Sequence, residues 1–146
     1  MDTLKIMKVR ENATIPKRAT EGSAGIDLCA CIDEEIVISP RDIVKIPTGI
    51  AVSVPNSYVS LLFARSGLST KHGIGLANSV GVVDSDYRGE VIVALINNGK
   101  EPYTITPNER IAQLCVMPVA ILPIVECESL DDTERGDGGF GSTGKK

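Results

Sequence analysis

The segment Gly81-Val82-Val83-Asp84-Ser85-Asp86-Tyr87-Arg88-Gly89-Glu90 places two aspartates, a tyrosine and an arginine between apolar, β-branched runs, the second being Val91-Ile92-Val93-Ala94-Leu95-Ile96. A turn between strands needs short polar residues and a glycine, and Asp, Ser and Gly already supply them. It does not need Tyr87-Arg88, nor an acid directly behind Val82-Val83. A carboxylate at a strand end is held by a rigid sheet yet open to a ligand, which is what a general base requires. Asp84 is therefore the candidate base. The alternative is a hairpin with a solvated acidic tip.

Three more segments carry candidate site groups. Arg65-Ser66-Gly67-Leu68 follows the apolar Leu61-Leu62-Phe63. A strand there runs into a short helical turn whose first N–H groups lack partners, with Arg65 and the Ser66 hydroxyl beside them. The alternative is a capped turn with Ser66 as N-cap. Ala24-Gly25-Ile26-Asp27-Leu28 sets a carboxylate between apolar neighbours, where it must be paired or face a cation; plain turn chemistry accounts for it equally well. In Glu109-Arg110-Ile111-Ala112-Gln113-Leu114, strict alternation puts Gln113 on the face of Glu109 and Ile111 rather than that of Arg110.

From about Thr133 the composition turns glycine-rich, and nothing in it can bury a core. Phe140 is a single aromatic among glycines, with no element of its own to pack into. It suits a nucleobase, since base stacking on an aromatic contributes about 1–3 kcal/mol. Arg135, Ser142, Thr143 and glycine N–H groups could wrap phosphate oxygens, and an arm that closed over a ligand would exclude water. A mobile tail is the alternative. Two GxGxxG matches, beginning at Gly136 and Gly139, neither follow a strand nor open a helix, and the P-loop-like stretch from Gly139 has Lys146 in place of its Ser or Thr.

Composition narrows the partners. A chain of 146 residues, 42% hydrophobic, fits one domain with its own core. It has no apolar run of spanning length and no signal-peptide pattern, so a soluble, cytoplasmic protein is expected. A net charge of −4 argues against a broad nucleic-acid or membrane surface. The local cations Arg65, Arg88, Arg110 and Arg135 suit a small, highly charged anion instead. Cys29, Cys31, Cys115 and Cys127 lack zinc-ligand spacing, and the single histidine, His72, sits near none of them; they read as small buried hydrophobes. His72 after Lys71 offers no nucleophile–base pattern.

The elements that must hold these groups are short and apolar, at 4–9, 25–30, 35–38, 43–54, 58–63, 81–83, 90–97, 103–105, 111–119 and 121–126, punctuated by Pro, Gly and Asn. This predicts an all-β, jelly-roll-like barrel or sandwich with one short helical turn at 66–72. The expected division is a β domain over 1–132 and a flexible glycine-rich arm over 133–146.

In order along the chain, 24–30, 65–68, 81–97, 109–114 and 135–144 resemble the five-part signature of the trimeric dUTP pyrophosphatases (dUTPases), so the likeness runs from about residue 20 to the C-terminus. One departure is Ala64, where much of that family has proline. The resemblance implies a dUTPase-like β-clip and hydrolysis of dUTP to dUMP and pyrophosphate with Mg2+. It further implies a role in limiting uracil incorporation into DNA and supplying dUMP for dTMP synthesis. It also implies a homotrimer whose sites are each assembled from all three chains. By the same match, Asp84 orients and deprotonates the water that attacks the α-phosphorus, and Tyr87 lies against the deoxyribose. The turn from Asn78 through Gly81 to Val83 reads uracil. Arg65, Ser66, Gly67 and Gln113 hold phosphates, and Asp27 touches Mg2+ through water. Arg135, Phe140, Gly141, Ser142 and Thr143 belong to the closing arm, with Phe140 over the base. A dedicated carboxylate cage is not expected, because magnesium often binds through substrate phosphates and waters. Two rivals share the fold: a dCTP deaminase, betrayed by ammonia release, and a non-catalytic nucleotide-binding trimer, betrayed by tight dUTP binding without turnover.

Overall fold

The structure, a computed structural model, describes residues 2–140. The short apolar runs become β1 (Lys5–Lys8), β2 (Gly25–Cys29), β3 (Ile36–Ile38), β4 (Ile43–Pro47), β5 (Ile50–Ser53) and β6 (Tyr58–Ala64). Helix α1 (Ser66–His72) follows, then β7 (Ile74–Leu76), β8 (Gly81–Val83), β9 (Ile92–Asn97), β10 (Tyr103–Ile105) and β11 (Arg110–Pro118). The fold is all-β and jelly-roll-like, as expected. Its strands lie in four open sheets among the described residues, β2-β11-β6-β8, β4-β9-β7, β1-β5 and β10-β3, and they close no barrel.

Alternation explains which sheet faces turn inward. In β9, Val93, Leu95 and Asn97 are buried while Ile92 is exposed, the period-two signature of a strand with one covered face. These meet Ile46 of β4, Ile74 and Leu76 of β7, and Ile26, Leu28, Leu62 and Leu114 of the four-stranded sheet in one core. Each such aliphatic side chain contributes about 1.5–3 kcal/mol by leaving water. Asn97 is tolerated there because its amide is satisfied: Nδ2 donates to the Ile38 and Glu101 carbonyls at 2.9 and 2.8 Å, and Oδ1 accepts from the Gly99 N–H.

Four local expectations change. The run 43–54 divides at Thr48-Gly49, where Gly49 has φ +70 and a Cβ would lie 2.6 Å from that of Ala13. β7 was not foreseen, being three residues with a central glycine. The apolar stretch 121–126 is no strand; past Val119, whose N–H donates to Ser57, the chain is exposed through residue 137, with Ile121, Leu122, Ile124 and Val125 in the open. Among the described residues no edge strand takes it up. Finally, a β-bulge between Arg110 and Ala112 breaks the alternation of β11. Ile111 and Ala112 are both buried, and Arg110 comes round to the face of Gln113, opposite to the expectation from strict alternation.

Candidate functional site

Asp84 extends β8 just past buried Val83, which pairs with Ser60 on β6. Its carbonyl accepts the Tyr87 N–H at 3.2 Å, closing a four-residue turn. Arg88 braces that turn by donating Nη1 to the Ser85 and Tyr87 carbonyls, at 2.7 and 2.9 Å. Tyr87 folds back to donate its hydroxyl to the Glu90 carbonyl at 3.1 Å. Its ring then lies over Gly89, where a Cβ would sit 2.3 Å from the phenol oxygen and would push the ring from this position.

The turn opens into a cleft of about 230 Å³ bordered by Asn78, Gly81, Val83, Asp84, Tyr87 and Glu90. Drug-sized pockets run to roughly 300–1,000 Å³, so this one suits a nucleobase and sugar. One wall is backbone. Val80 N–H donates to the Asn78 carbonyl at 2.7 Å with Ser79 at φ 62, a left-handed conformation that costs a serine about 1–3 kcal/mol. Such a conformation persists only where the surrounding structure holds it, so this wall is a fixed one. Asp84 is exposed and also borders a second groove with Asp86, Tyr58 and Ile121.

A cationic cluster stands elsewhere. Asp27 on β2 accepts Arg65 Nε on Oδ1 at 3.0 Å and Arg110 Nη1 on Oδ2 at 3.1 Å. Arg65 Nη1 also donates to the Arg110 carbonyl. Gln113 lies opposite Asp27 and donates Nε2 to the Ala64 carbonyl at 3.0 Å. Asp27 is thus paired, the first of the two outcomes its setting allowed. Two guanidiniums share one carboxylate, leaving a net positive charge to meet an anion. In so exposed a setting the pairs add at most about 1 kcal/mol each to stability. Their geometric effect is to fix where Arg65 and Arg110 point. Ser66 is the first helical residue rather than the N-cap; Arg65 occupies that position and makes no side-chain cap bond, which corrects the capped-turn alternative. Gly67 faces open space.

The neighbouring cleft, about 440 Å³, is lined by Arg65, Gly67, Lys71, His72, Tyr103 and Arg110. The His72 and Tyr103 rings stand 4.8 Å apart. Tyr103 donates to Glu109 Oε1 at 2.6 Å, and burial together with that carboxylate pushes its hydroxyl up to about 12. Burial, then the Asp27 charge, also raises the Cys29 thiol, which keeps it protonated and unreactive.

Asn78, Gly81, Val83, Asp84 and Tyr87 therefore gather at one cleft, and Asp27, Arg65, Gly67 and Gln113 at another region, with Ser66 beside them in sequence. Within one chain the two regions stay apart. Asp84 is level with Val59, one step beyond the Ser60 pair, and Arg65 lies six residues further along β6, roughly 20 Å at 3.3 Å per residue. Arg135 donates to the Gly138 carbonyl and the Phe140 ring is fully exposed; neither lines either cleft. Gly141, Ser142 and Thr143 lie outside the described residues. Glu90 is a site neighbour to which sequence had given no role, and Arg110, expected only as one of four local cations, stands against Asp27. The bulge that turns Arg110 toward Asp27 leaves no local mark in the sequence.

Among the described residues no three His, Cys, Asp or Glu side chains come together to hold a metal. Asp27, a hard oxygen donor already shared by two arginines, fits an ion carried by phosphates and reached through water, not a protein cage. All four cysteines are free, and no helix among the described residues is long and apolar enough to cross a membrane.

The dUTPase family model matches residues 11–144. The deoxyuridine 5'-triphosphate nucleotidohydrolase of Desulfitobacterium hafniense is 51% identical over 144 residues, spanning 97% of this chain and 95% of that one. Among solved structures, a mutant dUTPase of Staphylococcus bacteriophage 80alpha with dUpNHpp superimposes with a TM-score of 0.88 at 29% identity, over 97% of this chain and 98% of that one. A mutant dUTPase from phage phi11 of S. aureus, studied for the coordination of a structural Mg(II) ion, gives a TM-score of 0.78 at 27% identity, over 87% and 97% of the two chains.

Proposed function

The chain belongs to the dUTPase family and hydrolyses dUTP to dUMP and pyrophosphate, and we propose that Asp84 is the base that activates the attacking water. One observation supports this assignment above the others: an exposed carboxylate, held by a braced turn at a strand end, on the rim of a cleft sized for a nucleoside. Uracil enters against the backbone of Asn78 to Gly81, and the Tyr87 ring closes on the deoxyribose where a 2′-hydroxyl would need room. Water bound to Asp84 attacks the α-phosphorus, its proton passing to the carboxylate as the new P–O bond forms. The bond to the bridging oxygen breaks, and its electron pair leaves with pyrophosphate.

Arg65, Ser66, Gly67 and Gln113 hold the phosphates and stabilise the charge that develops on them. Asp27, through water, and the substrate phosphates would hold Mg2+, which would neutralise phosphate charge. Arg135, Ser142 and Thr143 close on the γ-phosphate, and Phe140 stacks on the base. The 133–146 arm is the element that closes the site.

The roughly 20 Å between Asp84 and Arg65 supports a site completed by another copy of the chain. So do exposed apolar side chains, Val82 and Met117 on the four-stranded sheet and Ile121, Leu122, Ile124 and Val125 beyond it. We assign a homotrimer in which each site draws on all three chains, with dUTP as its small-molecule partner and neither nucleic acid nor membrane involved. The cytoplasm suits four unpaired thiols and a nucleotide pool. Hydrolysis there limits uracil incorporation into DNA and supplies dUMP for dTMP synthesis. The test is incubation with each common nucleoside triphosphate and Mg2+. Monophosphate and pyrophosphate from dUTP alone are expected; ammonia from dCTP, or tight dUTP binding with no pyrophosphate, contradicts the assignment.

A further inference from the structure

Two residues past β1, Arg10 reaches the wall of the nucleoside cleft from outside. Val9 and Arg10 both donate their N–H groups to the Gly49 carbonyl, at 2.8 and 3.3 Å. The Arg10 side chain then forks onto Glu90, Nε to Oε1 at 2.7 Å and Nη2 to Oε2 at 3.0 Å, a bidentate pair. Gly49 N–H donates to the same Oε1 at 2.8 Å. The Gly49 turn has no slack, since a Cβ there would meet Ala13 and Cys31 at 2.6 and 2.7 Å. Next along the chain, Val91 N–H donates to the Ile50 carbonyl, and the Thr48 hydroxyl donates to the Val91 carbonyl at 2.6 Å.

Glu90 is therefore fixed by side chain and by the backbone that follows it. It is also part of the cleft wall, and its carbonyl is the acceptor for the Tyr87 hydroxyl. We propose that Arg10 is a positioning residue for sugar recognition, holding Glu90 so that its carbonyl fixes the Tyr87 ring at the edge of the cleft. This rests on Tyr87 being the wall that meets the deoxyribose. The same guanidinium has a second effect. A bare carboxylate lining a cleft that admits a polyanion would repel it, and Arg10 cancels that charge where it arises. An arginine is needed for both, because lysine keeps the charge but gives up the planar fork.

The test uses the full-length chain with Mg2+, comparing kcat and KM for dUTP and for UTP, alongside Tm. In Arg10→Gln the dUTP-to-UTP ratio of kcat/KM should fall about tenfold, through KM, with kcat for dUTP kept within about twofold. Arg10→Lys should fall between Arg10→Gln and wild type. Tyr87→Phe, which removes only the donor to Glu90, should lower the ratio too, and the double variant should be no less selective than the worse single one. A folded Arg10→Gln with lowered Tm and an unaltered ratio makes the pair merely structural and overturns the proposal. Should Arg10→Gln not fold, an unaltered ratio in Arg10→Lys overturns it instead. Wild-type chain that releases no pyrophosphate from dUTP overturns the hydrolase assignment and this proposal together, a failure visible before any variant is made.

Discussion

Asp84 and Arg65 stand at opposite ends of β6: one continues the strand that pairs with Ser60, the other follows the last residue of β6 itself. A general base must come within hydrogen-bond reach of its proton, about 3 Å, directly or through one water. A separation of roughly 20 Å along an extended strand cannot serve one α-phosphorus. On the proposed roles of Asp84 and Arg65, the carboxylate and the arginine of one working site would come from different chains.

Asp84→Asn keeps shape and a hydrogen-bonding oxygen but cannot take the proton. Turnover should fall by about 10²–10⁴ while dUTP still binds within a few-fold of wild type. Pyrophosphate release and a binding titration, run on the same preparation, separate the two effects. Near-normal turnover would remove Asp84 from the mechanism.

Asp27→Ala releases both guanidiniums at once. Two pairs of at most about 1 kcal/mol each should move Tm by no more than about 8 °C. KM for dUTP should rise by about tenfold, and more Mg2+ should be needed for half-maximal rate. A collapse in Tm with KM unchanged would make Asp27 a fold residue only.

Two groups give the protein opposite pH signatures. The Arg10 bond, with help from the Gly49 N–H, holds the Glu90 carboxyl below its ordinary value of 4.5. Its contribution is present above that value and is lost as pH falls through the lowered one. The Tm gap between wild type and Glu90→Gln should therefore narrow on acidification past 4.5. Tyr103, raised from 10.0 to about 12, behaves in reverse: its contribution is present below 10.0 and is lost as pH rises through about 12. Ultraviolet titration should show Tyr103 ionising late, with Tyr58 also held up by its bond to Asp2, and Glu109→Gln should bring the Tyr103 step alone earlier.

Removing residues 135–146 should cut turnover by about 10–100-fold, the scale of a lost base-stacking contact, while sedimentation still reports the intact oligomer. An unimpaired truncated enzyme would make the arm a tail.

The parts legible in the sequence were those written in local patterns. An acid behind two β-branched residues marked Asp84, alternation marked β9, and a strand running into a Ser-Gly turn marked Arg65. What stayed hidden depends on distant partners. The bulge that brings Arg110 to Asp27 is decided by β2, across a separation of 83 residues, and Arg10 finds Glu90 across 80. The 121–126 stretch has the composition of a strand but no strand partner among the described residues, and composition alone does not make a ladder.

Mixing Asp84→Asn with Arg65→Ala, each almost inactive alone, then allowing chains to exchange, tests the shared site most directly. Pyrophosphate release from dUTP should recover to roughly a quarter of the wild-type rate, because random assembly gives a quarter of the sites an intact Asp84 from one chain and an intact Arg65 from another. A mixture no more active than its two components, with exchange verified by mass, would put both residues in one chain's site and contradict the account.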